Sequence, residues 1–386
     1  MANPVPVTYN AAASPVVGGR FIVSEFWRNL APGWTDITPA GTRPPFGILA
    51  FSGSAWDVKG GKLYINGGGH ADYGGNEVWE WDYENRATDF VRHYPPDFTD
   101  IYGVGTPEQQ YAALREFVDN VNWPGAVVID GQPVRPISRH TYASLVWMPH
   151  LNKFTVGGAS LYSGMTPVDY WAGVWDVYQA DFWYYDPISK TFEYKGSGNK
   201  DPQYLGYAWQ ARMVLDESRE KLYSAIVDGG NQVSIVEHNP ATNTWTAHNV
   251  PCSQQSVILA RPVVDTLRDR LIVLVQSAGQ SVRTWAYDLD LMSWSEVSTA
   301  GTAPPDLNSE AWAVYSTKND AIYLLRSSEN GMSKLSLQSS VWASETINGP
   351  TFGAVSGNWF YDKRRKCALV VYQTLGGGTQ VFAYKD

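Results

Sequence analysis

A strand–turn–strand unit recurs along the whole chain, and it restricts the fold more than any other feature. The first copy, residues 62–82, joins two strand-like stretches through the glycine-rich turn that begins at Gly67, and its second half alternates apolar and polar residues. Weaker copies follow at residues 153–158 with 181–186, 221–227 with 232–238, 270–275 with 283–288, 321–325 with 333–337, and 367–372 with 380–384. The repetition predicts an architecture of similar β-sheets.

A tryptophan in the next short strand sets the period of these units. Trp245, Trp294 and Trp342 are spaced by 49 and 48 residues, and the next position in the series lies beyond the last residue, Asp386. The missing strand occurs at the other end, because residues 34–45 match residues 294–305 at six of twelve positions. We therefore predict that an N-terminal strand at residues 33–37 completes the last sheet and closes a ring without an exposed edge.

The chain resembles a kelch-type β-propeller, of the superfamily that includes the central domain of galactose oxidase. The resemblance covers most of residues 33–386 and rests on the paired glycines Gly67-Gly68 and Gly157-Gly158, on Trp81-Asp82, and on a period close to the roughly 50 residues of kelch repeats. It implies one all-β domain of four-stranded blades, preceded by an extension at residues 1–32. We predict six blades, with five or seven left open because residues 95–140 and 159–180 are ambiguous. The fold alone leaves the function undecided.

Two insertions interrupt neighbouring blades, and we expect both on one face of the propeller. The first, residues 95–139, contains a capped amphipathic segment at residues 106–121 that predicts one short helix. The second, residues 159–180, carries the aromatic residues Tyr162, Tyr170, Trp171, Trp175 and Tyr178. These rings are typical of a surface that stacks on sugars or contacts a protein, but they could equally cap the propeller as part of its core.

Polar residues converge on the same face, near the mouth of the central channel. The predicted binding residues there are His70, Asp72, Tyr73 and Arg139, together with Tyr162, Tyr170, Trp171 and Trp175 of the second insertion. If the protein is an enzyme, the candidates for catalysis are His70, His140, Tyr142 and Arg212, a set that resembles that of a polysaccharide lyase. An arginine neutralises the uronate carboxylate, a His or Tyr removes the neighbouring proton, and a second group protonates the leaving oxygen. The alternative is that His70 and His140 only fix turns through backbone carbonyls.

The sequence lacks the motifs of several other kinds of site, so we predict no metal and no cofactor. The glycine-rich turn at Gly67 runs between two strands, whereas a dinucleotide loop opens into a helix. The six histidines are scattered without zinc-ligand spacing. Cys252 and Cys367 form no CxxC pair, and two buried thiols are favoured over one disulfide.

Charge and hydropathy narrow the choice of partner. The chain has 29 Lys and Arg against 38 Asp and Glu, a formal net charge of −9, which disfavours nucleic acid. No stretch is apolar enough for a membrane helix, and no secretory signal peptide is recognised, so we expect a cytoplasmic or virion location.

The sequence favours a non-catalytic structural or binding module, including a bacteriophage tail or virion component, that contacts a protein or a glycan. A glycan-active, lyase-like enzyme is the alternative.

Overall fold

The fold is seen in a computed structural model of the chain. It describes residues 23–45, 47–49, 52–68, 73, 75–95, 126–129, 132–136, 138–141, 143–157, 159–161, 181–197, 212–227, 232–253, 257–259, 261–277, 280–304, 307, 312–325, 331–346, 357–373 and 378–385. Within these ranges the fold is all-β apart from a single short helix.

The first third of the chain supplies the helix, the closing strand and blade 1. The helix is α1 (Glu25–Arg28), and the closing strand is β1 (Gly33–Asp36). Blade 1 consists of β2 (Ser54–Asp57), β3 (Lys62–Ile65), β4 (Trp79–Asp82) and β5 (Val91–Arg92). A hairpin follows, formed by β6 (Ala126–Ile129) and β7 (Gln132–Pro136).

Blades 2 and 3 follow, together with one extra strand pair. The extra pair is β8 (Arg139–His140) with β11 (Ala159–Leu161). Blade 2 consists of β9 (Trp147–Met148), β10 (Lys153–Val156), β12 (Asp181–Asp186) and β13 (Thr191–Ser197). Blade 3 consists of β14 (Arg212–Asp216), β15 (Lys221–Val227), β16 (Gln232–Asn239) and β17 (Thr244–Ser253).

The last three blades complete the ring. Blade 4 consists of β18 (Val257–Leu259), β19 (Val263–Asp265), β20 (Arg270–Ser277), β21 (Arg283–Asp288) and β22 (Ser293–Val297). Blade 5 consists of β23 (Ala300–Gly301), β24 (Trp312–Ser316), β25 (Ala321–Leu325), β26 (Gly331–Ser336) and β27 (Val341–Thr346). Blade 6 consists of β28 (Gly357–Asp362), β29 (Cys367–Gln373) and β30 (Thr379–Lys385) with β1.

The first and last strands of the described residues meet in blade 6, which confirms the predicted closure. Strand β1 pairs antiparallel with β30, with Trp34 opposite Tyr384. The indole of Trp34 packs against Trp359, with 5.7 Å between ring centroids. Because β1 occupies the outer edge of β30, the last blade has its fourth strand and the six-bladed ring is complete.

A cluster of buried apolar side chains fills each interface between neighbouring blades. Successive interfaces, starting from blades 6 and 1, are represented by Leu369 with Trp81, Tyr64 with Trp183, Tyr184 with Leu222, Ile235 with Val273, Ile272 with Leu324, and Tyr323 with Trp359. The helix α1 joins the first of these clusters, because Trp27 is 1% exposed and its indole N–H donates to the Tyr83 carbonyl at 3.2 Å. The core is therefore divided into inter-blade layers.

Ion pairs link several blades at the end where the first and second strands of each blade connect. In three of these turns an arginine bonds an aspartate three residues before it and also reaches a carboxylate of the next blade. The triplets are Asp216–Arg219–Asp269, Asp265–Arg268–Asp320 and Asp362–Arg365–Glu84. Hydrogen bonds from Arg219 hold the pKa of Asp269 below its usual value.

The structure contains three features that the sequence did not predict. The helix predicted at residues 106–121 lies outside the described residues, but the same insertion also contains the hairpin β6–β7, which the sequence did not reveal. Residues 159–161, predicted as loop, form β11 and pair with β8. The inner edge of blade 4 is divided into two strands, β18 and β19, because Pro262 between them has no backbone N–H to donate to β20.

Candidate functional site

Only part of the predicted site falls on described residues. His70, Asp72, Tyr142, Tyr162, Tyr170, Trp171 and Trp175 lie outside the described residues. Arg212 opens the innermost strand β14, but its side chain is likewise outside the description. Tyr73, Arg139 and His140 are therefore the predicted site residues whose side chains the structure places.

Arg139 and His140 are buried next to blade 1. Arg139 is only 1% exposed, and His140 is only 4% exposed. They form the two-residue strand β8, in which His140 lies opposite Ala159. A strand of two residues is too short to show an alternating pattern, so the burial of both residues could not be predicted from periodicity.

The polar side chains around this strand hold backbone segments together. The Thr141 hydroxyl donates to the Asn66 carbonyl at 3.2 Å and accepts from the Gly53 amide at 3.1 Å. The Ser138 hydroxyl bonds the carbonyls of Gly67 and Tyr73 at 3.0 and 2.6 Å. Since these bonds satisfy buried backbone groups, the connection into blade 2 is fixed against the glycine turn of blade 1.

The paired glycines of blade 1 are explained by this close packing. A Cβ at Gly67 would lie 2.6 Å from the Ile48 carbonyl oxygen, and a Cβ at Gly68 would lie 2.3 Å from that of Tyr73. Gly68 also has φ of +103°, a conformation that side chains disfavour. The glycine motif therefore marks where two connections touch, in addition to forming a turn.

Sequence reasoning missed Glu77, the buried carboxylate beside Tyr73. Glu77 is 1% exposed, and its Oε1 accepts from the Tyr73 hydroxyl at 2.6 Å and from the Trp79 indole at 3.1 Å. Its position could have been inferred, because Glu77 shares strand parity with the buried Trp79 and Trp81. The described part of this face therefore contains a hydrogen-bonded carboxylate that anchors Tyr73.

Three further observations concern metal ligands, membrane helices and cysteines among the described residues. They contain no group of three or more His, Cys, Asp or Glu arranged to hold a metal ion. They also include no helix long and apolar enough to cross a membrane. Cys367 is buried, at 1% exposure, and the side chain of Cys252 lies outside the described residues.

Comparisons with known proteins give fold-level likeness alone. No protein-family model and no curated protein matches the chain. It is similar to an auxiliary nutrient-binding protein from Bacteroides thetaiotaomicron VPI-5482, at 10% identity and a TM-score of 0.46, over 92% of this chain and 78% of that chain. It is also similar to a chain of a nidogen/laminin complex, at 7% identity and a TM-score of 0.42, over 76% of this chain and 78% of that chain. The six-bladed propeller itself rests on the strand pairing described above.

Proposed function

We propose that this protein is a non-catalytic β-propeller that serves as a structural or binding module. The observation that carries the proposal is the burial of Arg139 and His140, at 1% and 4% exposure. A lyase needs its arginine and its proton-transfer group at a groove that admits a polysaccharide chain. Because both side chains are buried in a short strand, they are better placed to pack against the protein interior than to contact a polysaccharide.

The hydrogen bonds around Arg139 and His140 support the same conclusion. Ser138 and Thr141, the residues on either side, bond backbone groups of blade 1. A segment fixed on both flanks is well suited to hold a rigid face. In this proposal that face contacts a protein or a glycan through the aromatic residues of the insertion at residues 159–180.

In its finer form the proposal is a kelch-type propeller that belongs to a bacteriophage tail or virion. The glycine packing at Gly67 and Gly68 and the tryptophan period support the kelch type. The closed ring supports the virion role, since a particle that persists outside cells gains from having no unpaired strand edge. Neighbouring genes that encode virion structural proteins would support this form, and a setting without them would contradict it.

Binding to glycan and protein arrays tests the module. We expect saturable binding by the wild type, and a loss of about 1–3 kcal/mol for each well-packed ring in Trp171→Ala and Trp175→Ala. Ile188→Ala is the matched control, because Ile188 is 78% exposed in a turn at the opposite end of blade 2. If the tryptophan variants lose their fold instead of their binding, these rings belong to the core and the binding surface is not where we propose it.

A further inference from the structure

A cavity in the central channel has the size and walls of a site for one aromatic ring. It measures about 170 Å³ and lies where the innermost strands of blades 6, 1, 2 and 3 face one another. Trp56, Trp147 and Phe360 line it, and the rings of Trp56 and Phe360 are parallel within 6° at 5.9 Å between centroids. A protein cavity of about 150 Å³ accepts benzene, so this one can hold a single six-membered ring.

A buried arginine reaches the same cavity from the break in the inner strand of blade 4. Arg261 lies between β18 and β19, directly before Pro262, and is 8% exposed. Its Nε donates to the Met213 carbonyl of blade 3 at 3.0 Å, which fixes the guanidinium in the channel wall. Burial lowers the pKa of Arg261 to about 10, so the group remains a cation at neutral pH. A guanidinium matches a carboxylate, because its N–H groups can bond both oxygens.

The charges that line the cavity also favour an anion. Lys59, Lys363 and Arg364 are exposed and join Arg261 as four cations, against the two acids Asp57 and Glu217. This local excess is opposite to the net charge of −9 carried by the whole chain. A mouth of one sign with low-dielectric walls raises the local concentration of ligands of the other sign.

We propose that the central channel binds a small aromatic carboxylate. The ring lies against Trp56 and Phe360, the carboxylate bonds Arg261, and the cations at the mouth attract the ligand. The site is separate from the insertion-bearing face, so this proposal and the function proposed above can be tested independently.

The two members of one ion pair give variants with opposite expected effects. Lys363 of blade 6 and Glu217 of blade 3 form an ion pair of 2.7 Å, and both side chains are about half exposed. Removing Lys363 subtracts a cation from the mouth, whereas removing Glu217 subtracts an acid. Both changes break the same pair, so a purely structural effect would move binding in the same direction in both variants.

Calorimetric titration of the full chain with benzoate tests the site, with benzyl alcohol as a neutral ligand of similar size. We expect saturable binding of benzoate, about tenfold tighter than that of benzyl alcohol, which corresponds to about 1.4 kcal/mol. Glu217→Gln should tighten benzoate binding and Lys363→Gln should weaken it, each by about two- to threefold at low salt and less at high salt. Lys318→Gln is the matched control, because Lys318 is an exposed cation in the corresponding turn of blade 5 and does not line the cavity.

Arg261→Gln should weaken benzoate binding at least about tenfold while the binding of benzyl alcohol changes little. If this variant does not fold, the Glu217 and Lys363 variants decide the question, since both positions are exposed. Three results would each overturn the proposal. They are no binding of benzoate, equal affinities for benzoate and benzyl alcohol, and shifts of benzoate affinity in the same direction in Glu217→Gln and Lys363→Gln.

Discussion

Arg365 and Glu84 form a buried ion pair across the seam between blades 6 and 1, with 2.7 Å between Nε and Oε2. Their side chains are 0% and 4% exposed. The other carboxylate oxygen of Glu84 accepts the backbone N–H of Ser24 at 2.7 Å, directly before α1. One carboxylate therefore connects blade 1, blade 6 and the N-terminal segment.

Removal of Arg365 should destabilise the ring more than removal of its exposed neighbour. Arg365→Met leaves Glu84 and Asp362 buried without their cation, and such a loss typically costs about 3–5 kcal/mol. Arg364→Met, one residue earlier and exposed, should change the free energy of unfolding by less than about 0.5 kcal/mol. Equilibrium unfolding in urea measures both, and equal effects would show that the buried pair contributes nothing specific.

Truncation tests the closure of the ring by β1. A chain that begins after Thr38 lacks both β1 and Trp27 of α1, so the edge of β30 is left unpaired. We expect aggregation or a large fall in the melting temperature. A chain that begins at residue 23 is the control, because it keeps α1 and β1, and it should melt well above the chain that begins after Thr38. If the longer truncation stays monomeric with an unchanged melting temperature, closure by β1 is wrong.

His238 should make stability depend on pH in the weakly acidic range. The side chain is fully buried, lies 2.6 Å from the Tyr184 hydroxyl and stacks on Trp245. Burial lowers the pKa of His238 to about 4, against 6.5 for the ordinary group. Between these values the unfolded chain binds a proton that the folded chain does not, so stability falls as pH falls from 6.5 to 4.

The variant His238→Gln removes this titration and keeps a polar partner for Tyr184. Over the same pH range the wild type should lose about 3 kcal/mol more than the variant, since each pKa unit corresponds to about 1.4 kcal/mol. Other groups titrate equally in both proteins, so the difference isolates His238. Parallel stability curves, or a pKa of His238 near 6.5 measured by NMR, would contradict the expectation.

The ring could be predicted from sequence because its determinants are local and repeated. Alternation within strands, the spacing of Trp245, Trp294 and Trp342, and the match of residues 34–45 to residues 294–305 each mark a fixed place in a blade. The pairing of Trp34 with Tyr384 confirms what those patterns indicated. The kelch type stays a prediction.

The candidate sites were less predictable because they depend on distant residues that the ring brings together. Arg261, Trp56 and Phe360 line one cavity only because blades 4, 1 and 6 surround the same axis. Arg139 and His140 were predicted from the sequence as polar residues at the end of a connection, whereas the structure buries both in a strand that pairs with residues 159–161. The proposed binding residues at positions 162–175 lie outside the described residues and stay predictions.

An assay for polysaccharide turnover is the most direct test of the proposal that the propeller is non-catalytic. The purified full chain is incubated with acidic and neutral polysaccharides while the absorbance of unsaturated products and the release of reducing ends are followed. We expect neither signal to rise above that of a boiled sample, because Arg139 and His140 are buried and the net charge of −9 repels polyuronates. Turnover that disappears in His140→Ala, in a variant that keeps the wild-type fold, would contradict the proposal and identify the protein as an enzyme.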